Sequence, residues 1–206
     1  MALKGAYMDE GLAKIRHERS KKDFPGLSLK EGEYVEFAFK RARICLLMII
    51  FGTAFGVILA LLFFLFALLG QPMIDEMGRN FIFIILFALL ATAFIIGAIS
   101  LAVHTGNKLY VTNQRVIQII VDSIVSTSRN AIDLASVEDV SFHQKGIMQT
   151  FFGYGTLRLA TVGDETTYTF KYSDISQEDL EAVSKLVLEA KKKQRKKVKA
   201  EAIDDN

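Results

Sequence analysis

The stretch ICLLMIIFGTAFGVILALLFFLFALL, residues 44–69, determines the architecture of this 206-residue chain. It has no charged side chain, and a second uncharged run, FIFIILFALLATAFIIGAISLAV, follows at residues 81–103. At about 1.5 Å per residue, each run as a helix exceeds the hydrocarbon core of a bilayer, which is about 30 Å thick. Two runs of this length favour membrane spans over buried helices of a soluble protein. We therefore predict transmembrane helices at residues 44–69 and 81–103.

Positive charge flanks both runs on the same side, at Lys40, Arg41, Arg43, Lys108 and Arg115. Segments rich in Lys and Arg stay in the cytoplasm. This predicts a multi-pass protein of the cell membrane with both termini cytoplasmic. Residues 70–80 form the extracytoplasmic hairpin loop of this topology, with helix-breaking Gly and Pro residues at its ends, including Gly78. The first run begins after 43 mostly polar residues and does not resemble a signal peptide.

Residues 104–190 have the pattern of a small β domain. Six short runs rich in Val, Ile, Thr, Tyr and Phe alternate with turn signals, such as the one at residues 122–123. After Ser173 the apolar period becomes helical up to about Ala190, and Ser176 with Asp179 resembles a capping box. The predicted fold is a membrane α-helical hairpin joined to a mainly-β domain with a C-terminal helix.

The stretch TFFGYGTLRL, residues 150–159, contains a GYG triplet that is also typical of potassium filters. A filter needs a re-entrant segment held between two spans, whereas this triplet lies about fifty residues after the second span. The favoured interpretation is a turn: Gly153 and Gly155 allow a sharp change of direction, and Tyr154 packs in or near the core.

Three longer stretches carry a resemblance: GNKLYVTNQRVI (residues 106–117), IDLASVEDVSFHQ (132–144) and QTFFGYGTLRLAT (149–161). In order and content they resemble the bacterial PH-domain membrane proteins of the YdbS-like group. The resemblance implies a two-span hairpin before a strongly bent β sandwich or barrel of pleckstrin-homology type. The family-motif positions, with an expected structural role, are Thr112, Arg115, Asp139, Gly153, Tyr154 and Gly155.

The segment before the first span, residues 29–43, also matches the family pattern through Leu29, Gly32 and Glu33. It departs from that pattern at residues 41–43, Arg-Ala-Arg, where the family often has Arg-x-His, so no role of that His is carried over. Val35, Phe37 and Phe39 alternate as in a strand with one apolar face, and we predict that this strand packs beside the C-terminal domain. The polar arm at residues 1–28 is expected to be cytoplasmic and flexible or weakly helical.

The sequence offers no recognisable metal-binding or catalytic motif. Cys45 is the single cysteine, and His17, His104 and His143 are widely separated, so we expect no metal site. The sequence has no phosphate-binding loop, nucleophile elbow or metalloprotease motif. We expect no catalytic residue, no cofactor and no enzymatic activity.

A basic run, KKKQRKKVK, precedes the acidic end of the tail at residues 191–206. Near an anionic leaflet each cation can contribute about 1 kcal/mol of attraction. The alternative is a solvated tail, and both remain open. Nucleic acid is not expected, because no aromatic residue is interleaved for base stacking. The candidate anionic-lipid contacts are Lys191, Lys192, Lys193, Arg195, Lys196, Lys197 and Lys199.

Small residues recur every four positions in both spans, which permits close helix contact. They pack either within the hairpin or between copies of the chain. These candidate helix-packing residues are Gly52, Gly56, Ala60, Ala93 and Gly97.

Together these features predict a non-catalytic, membrane-anchored PH-like protein that acts as a binding or scaffolding module at the cytoplasmic membrane face. Its expected partners are the lipid bilayer, including anionic lipid, and either further copies of itself or other proteins. The alternatives are a homo-oligomeric membrane assembly and a subunit associated with a transporter or channel.

Overall fold

The computed structural model describes residues 2–69, 76–161 and 167–204. These form two compact units. Unit 1 comprises Met1–Arg41, Asn107–Ile120 and Ser128–Asn206, and unit 2 comprises Ala42–Gly106 and Val121–Thr127. The helices are α1 Ala2–Asp23, α2 Arg43–Leu69, α3 Glu76–Gly106, α4 Ile147–Phe151 and α5 Gln177–Asp204. The strands are β1 Val35–Lys40, β2 Lys108–Thr112, β3 Arg115–Ser123, β4 Ser126–Asp133, β5 Val137–His143, β6 Gly155–Thr161 and β7 Thr167–Ser173.

Unit 1 is built on two sheets. One has the strand order β1-β2-β3-β4 and the other β5-β6-β7, and a bridge between Arg41 and Ser173 joins the end of β1 to β7. Apolar side chains from both sheets meet α5 in one core, to which the helix contributes the buried residues Val183 and Val187. Ser176 and Asp179 exchange hydrogen bonds at the start of α5, so the predicted capping box is confirmed. The mainly-β domain with a C-terminal helix is therefore present.

The strand before the first apolar helix is paired as predicted. β1 runs antiparallel to β2, with Phe39 opposite Leu109 and Lys40 opposite Lys108. Phe39 is buried in the core, and its ring stacks on that of Phe37 at 5.8 Å. Pairing with β2 satisfies the edge of β1, and the face that carries Phe37 and Phe39 packs on the core.

Unit 2 contains two long apolar helices. The segments Arg43–Ala67 and Asn80–Gly106 are long and apolar enough to cross a membrane. Gly97 of α3 lies against Thr53 of α2, where an added Cβ would be 2.8 Å from the Thr53 methyl group. The hydroxyl groups of Thr53 and Thr92 donate to the carbonyl oxygens four residues earlier, which satisfies these polar groups inside apolar helices.

Several predicted boundaries are wrong. Residues 76–80 of the predicted loop belong to α3, and Gly78 lies inside this helix rather than ending it; one Gly costs only about 1 kcal/mol in a long helix. Residues 70–75 of that loop lie outside the described residues. The hairpin turn between β3 and β4 is at residues 124–125 rather than 122–123.

The two polar ends of the chain are more helical than predicted. The N-terminal arm forms the 22-residue helix α1. At the other end, α5 continues past Ala190 through the basic run to Asp204. The reason is composition: Lys, Arg, Gln, Glu and Ala are good helix formers, and no Gly or Pro follows Ser176.

Candidate functional site

A buried carboxylate connects residues 29–43 to the β domain. Glu33 is 0% exposed, and its oxygens accept hydrogen bonds from the Lys30 amide, the Thr112 hydroxyl and Arg115 Nε, each at 2.8 Å. A charge removed from water needs a partner of opposite charge and further hydrogen bonds. The Glu33 cluster, defined as Glu33, Thr112 and Arg115, supplies both.

The same cluster keeps Glu33 ionised. Burial raises the pKa of Glu33, but the hydrogen bond from Arg115 lowers it, as do those from the Lys30 amide and Thr112 and the charge of Arg115. The lowering effects are together larger, so the pKa lies below its ordinary value of 4.5. A carboxylate held in this way has no proton to give near neutral pH and serves as a structural anchor.

The Thr-x-x-Arg motif builds the other half of the cluster. The Thr112 hydroxyl oxygen accepts the amides of Gln114 and Arg115 at 3.2 and 2.9 Å, which closes the tight turn between β2 and β3. Within this turn, the Asn113 side chain accepts the Tyr34 amide and donates to the Gly32 carbonyl, both at 3.1 Å. The turn is therefore hydrogen-bonded to the residues on both sides of Glu33.

Helix α1 is attached to the same segment. His17 Nδ1 donates to the Glu33 carbonyl oxygen at 2.6 Å, and Ser20 Oγ accepts the Val35 amide at 3.0 Å. The Phe24 ring meets the Tyr110 ring edge-on, with centroids 5.2 Å apart. These contacts attach the C-terminal half of α1 and the residue after it to unit 1.

The GYG turn is a packing element. Gly153 has φ of 69°, a conformation that favours glycine. Tyr154 is buried, at 6% exposed, as the interpretation of this stretch as a turn expects. A Cβ on Gly155 would lie 2.6 Å from the His143 carbonyl oxygen, so only glycine fits there. The remaining motif residue, Asp139, is exposed on β5.

A family model described as the bacterial PH domain matches residues 44–191, which is more than half of the chain. The chain belongs to the bacterial PH-domain family. A comparison with curated proteins finds no match. Among solved structures, a DUF1696-family protein with a pleckstrin-homology domain from Shewanella loihica PV-4 is similar at 15% identity. That similarity covers 41% of this chain and 70% of the other, with a TM-score of 0.31, and supports no argument about function.

The basic run of this bacterial PH-domain protein lies on the second half of α5. Lys191 donates to the Glu138 carbonyl oxygen at the start of β5, whereas the other six cations are exposed. At 100° per residue, the seven cations are spread around the helix and do not form one face. The start of β5 is the end of its sheet opposite to the one that carries Ser173 and Arg41.

The chain leaves unit 1 for α2 and returns to it from α3 at the same end, which is the end that carries Arg41. Lys40 pairs with Lys108 there, and Arg41 lies over the Tyr172 ring at 5.7 Å. We call this the connecting end. It also carries α4, since this helix lies between His143 and Gly155, and Gly155 pairs with Ser173.

The small residues of the spans are divided between two environments. Gly97 packs on Thr53, as interhelical packing requires, but an added Cβ on Gly52 or Gly56 would meet nothing within 4 Å. Ala60 and Ala93 are partly exposed. Hairpin packing therefore uses Gly97 and leaves the Gly52 and Gly56 face uncovered.

In the described part of the chain, no group of three or more His, Cys, Asp or Glu side chains could hold a metal ion.

The sequence did not predict three contacts of this site. Glu33 is the partner of Arg115, Asn113 hydrogen-bonds to Gly32 and Tyr34, and His17 donates to the Glu33 carbonyl oxygen. Glu33 and Arg115 are separated by 82 positions. The only signal in the sequence for the pairing of Glu33 with Arg115 was that both residues stand in family motifs.

Proposed function

We propose that this protein is a non-catalytic membrane anchor that holds a PH-like domain at the cytoplasmic face, where the domain binds or scaffolds a partner. The helices α2 and α3 cross the cell membrane as a hairpin, and both termini lie in the cytoplasm. The residues described above give no support for catalysis, whereas the two apolar helices and the pairing of β1 with β2 support attachment.

The observation that carries this proposal is the exposed apolar surface of α2 and α3. Phe66 and Phe87 are each 75% exposed, and they are surrounded by other exposed Leu, Ile and Phe residues along both helices. Water-soluble proteins rarely expose contiguous apolar surface on this scale, so the natural solvent of these helices is lipid. The cations Lys40, Arg41 and Lys108 at the connecting end favour a cytoplasmic position for unit 1.

Anchoring supplies the mechanism. A domain fixed to the membrane is confined to a thin layer of cytoplasm, where a weak contact to lipid or to another membrane protein gains from high effective concentration. The Glu33 cluster contributes by fixing the strand that leads into α2. The domain is then attached through two paired strands, β1 and β2, rather than through a loose linker.

Topology can be tested with single cysteines in a Cys45→Ala background. Gln71→Cys places a thiol in the segment between the helices, and Lys192→Cys places one on α5. A membrane-impermeant thiol reagent is expected to label Gln71→Cys in intact spheroplasts, and Lys192→Cys only after the membrane is permeabilised. Labelling with the opposite pattern, or recovery of the protein in the soluble fraction, would contradict the proposal.

A second candidate function is self-assembly within the membrane. It is favoured by the uncovered face at Gly52 and Gly56, which suits close approach of another helix. Cross-linking in native membranes should then give dimers or larger species that Gly56→Leu reduces. The matched control is Ala91→Leu on α3. A wild-type protein that yields only monomer would exclude this candidate.

A further inference from the structure

Helix α4 presents apolar side chains outward. Ile147 is 87% exposed, Met148 60%, Phe151 80% and Phe152 41%, and the two Phe rings pack edge to face at 5.0 Å. The helix itself has no buried residue. Contiguous apolar side chains of this size on the surface of a domain mark a contact with a partner or a membrane.

The chain path fixes where this surface lies. Gly155, four residues after Phe151, pairs with Ser173, and Ser173 is bridged to Arg41. Two strand spacings separate Gly155 from Arg41, or about 10 Å. Arg41 stands two residues before α2 begins. The apolar surface of α4 is therefore at the connecting end, close to the point where the chain enters the apolar helices.

Cations are found at the same end of unit 1 as this apolar surface. Lys145 precedes α4, Lys40 and Lys108 form a cross-strand pair, and Arg41 adjoins them. Acidic side chains are also present: Asp174 follows β7, and Glu178 and Asp179 lie in the first turn of α5, where Asp179 is engaged in the capping box. Apolar side chains with neighbouring Lys and Arg are the combination that lies in the interface of an anionic leaflet.

We propose that Ile147, Met148, Phe151 and Phe152 insert into the cytoplasmic leaflet of the membrane that α2 and α3 cross. This inference rests on the proposed function, because it takes the membrane position of the two helices as given. The lipid surface is the chosen occupant because the same end of unit 1 carries both connections to the spans. The α4 surface becomes a third attachment point, which restricts rotation of the domain about the two strands.

The basic run of α5 differs from the connecting end in composition and in position. It has more cations than the connecting end, but its exposed apolar component is Val198 alone, and it lies at the opposite end of the β5-β6-β7 sheet. At about 1.5 Å per residue, roughly 20 Å of helix separates Gln177 from Lys191. The proposal therefore assigns leaflet contact to α4 and not to the basic run.

The absence of Trp from the sequence permits a direct test. Single tryptophans replace Phe151, Phe87 or Val198 in the full-length protein, which is reconstituted in vesicles of zwitterionic and anionic phospholipid. Each variant is compared in ordinary lipid and in lipid brominated on the acyl chains near the headgroup. Phe87→Trp reports on a span, Phe151→Trp on α4 and Val198→Trp on an exposed apolar position away from the connecting end. Ile147→Trp repeats the α4 measurement at a second site.

Strong quenching by brominated lipid is expected for Phe87→Trp, Phe151→Trp and Ile147→Trp, and little for Val198→Trp. If only Phe87→Trp is quenched, the spans are in the membrane and the proposal for α4 is wrong. If Phe87→Trp is not quenched either, the proposed function fails first. Blue-shifted Phe151→Trp emission without quenching would show that protein covers α4, either a second copy or another partner, and would overturn the lipid assignment.

Discussion

Glu33 and Phe151 are both exceptions to the rule that charged side chains are exposed and large apolar side chains are buried. Glu33 is a charge with no exposed surface, and Phe151 is an aromatic ring that is 80% exposed. For Glu33 the explanation is internal, because Arg115, Thr112 and Lys30 satisfy its carboxylate. For Phe151 the described part of the chain supplies the neighbouring Phe152 ring and leaves most of the side chain exposed. A buried charge satisfied by its own chain indicates a structural role, whereas an exposed apolar surface indicates something outside the chain.

The largest expected effect follows removal of the buried carboxylate. Glu33→Ala leaves the Arg115 guanidinium partly buried without its partner, and breaking such a pair typically costs about 3–5 kcal/mol. Urea denaturation of the protein in detergent micelles measures the change in the free energy of unfolding. The matched control is Glu31→Ala, two residues away and exposed, for which a change within about 0.5 kcal/mol is expected. Equal effects of the two substitutions would show that Glu33 is not the anchor.

The GYG turn should be less sensitive than the cluster but still clearly affected. Gly155→Ala places a Cβ 2.6 Å from the His143 carbonyl oxygen and 2.7 Å from the Phe142 ring. Overpacking of this kind typically costs about 1–3 kcal/mol. Gly26→Ala has open space around the new methyl group and serves as the control. A Gly155→Ala protein as stable as Gly26→Ala would mean that the strand can shift freely at this position.

Acid should weaken the anchor by a predictable route. The folded pKa of Glu33 is lowered, so its contribution to stability is fully present above the ordinary pKa of 4.5 and is lost as pH falls through the folded pKa. Stability is therefore expected to decrease as the pH is lowered below 4.5. Glu33→Gln removes the titrating group and should reduce the slope of stability against pH in this range. An unchanged slope would assign acid sensitivity to other carboxylates.

The sequence was sufficient where a local pattern controls structure. The two apolar helices, the strand with Val35, Phe37 and Phe39, and the cap at Ser176 follow from periodicity and residue type, and the family resemblance was confirmed. The Glu33 cluster could not be predicted in the same way, because its geometry joins residues about eighty positions apart.

Exposed apolar residues are a second limit on sequence reasoning. Ile147, Met148, Phe151 and Phe152 are apolar in the sequence, and their composition alone is equally compatible with burial and with exposure. Only the path from Gly146 to Gly155 turns them outward. The same limit applies to α1, which is attached through hydrogen bonds from His17 and to Ser20 that no apolar stripe in the sequence predicts.

The smallest expected effect on folding follows substitution of the exposed α4 side chains. This effect distinguishes α4 most clearly from the Glu33 cluster. The double substitution Ile147→Ser and Phe151→Ser removes side chains that are 87% and 80% exposed, so the free energy of unfolding in detergent should change by no more than about 0.5 kcal/mol. In reconstituted vesicles the same change should increase amide hydrogen exchange in residues 147–154, because the contact with the leaflet is lost. The control Leu188→Ser, on exposed residue Leu188 of α5, should leave that exchange unaltered. A large loss of stability in detergent would contradict this account, since it would mean that α4 supports its own domain and that Phe151, like Glu33, is a structural residue.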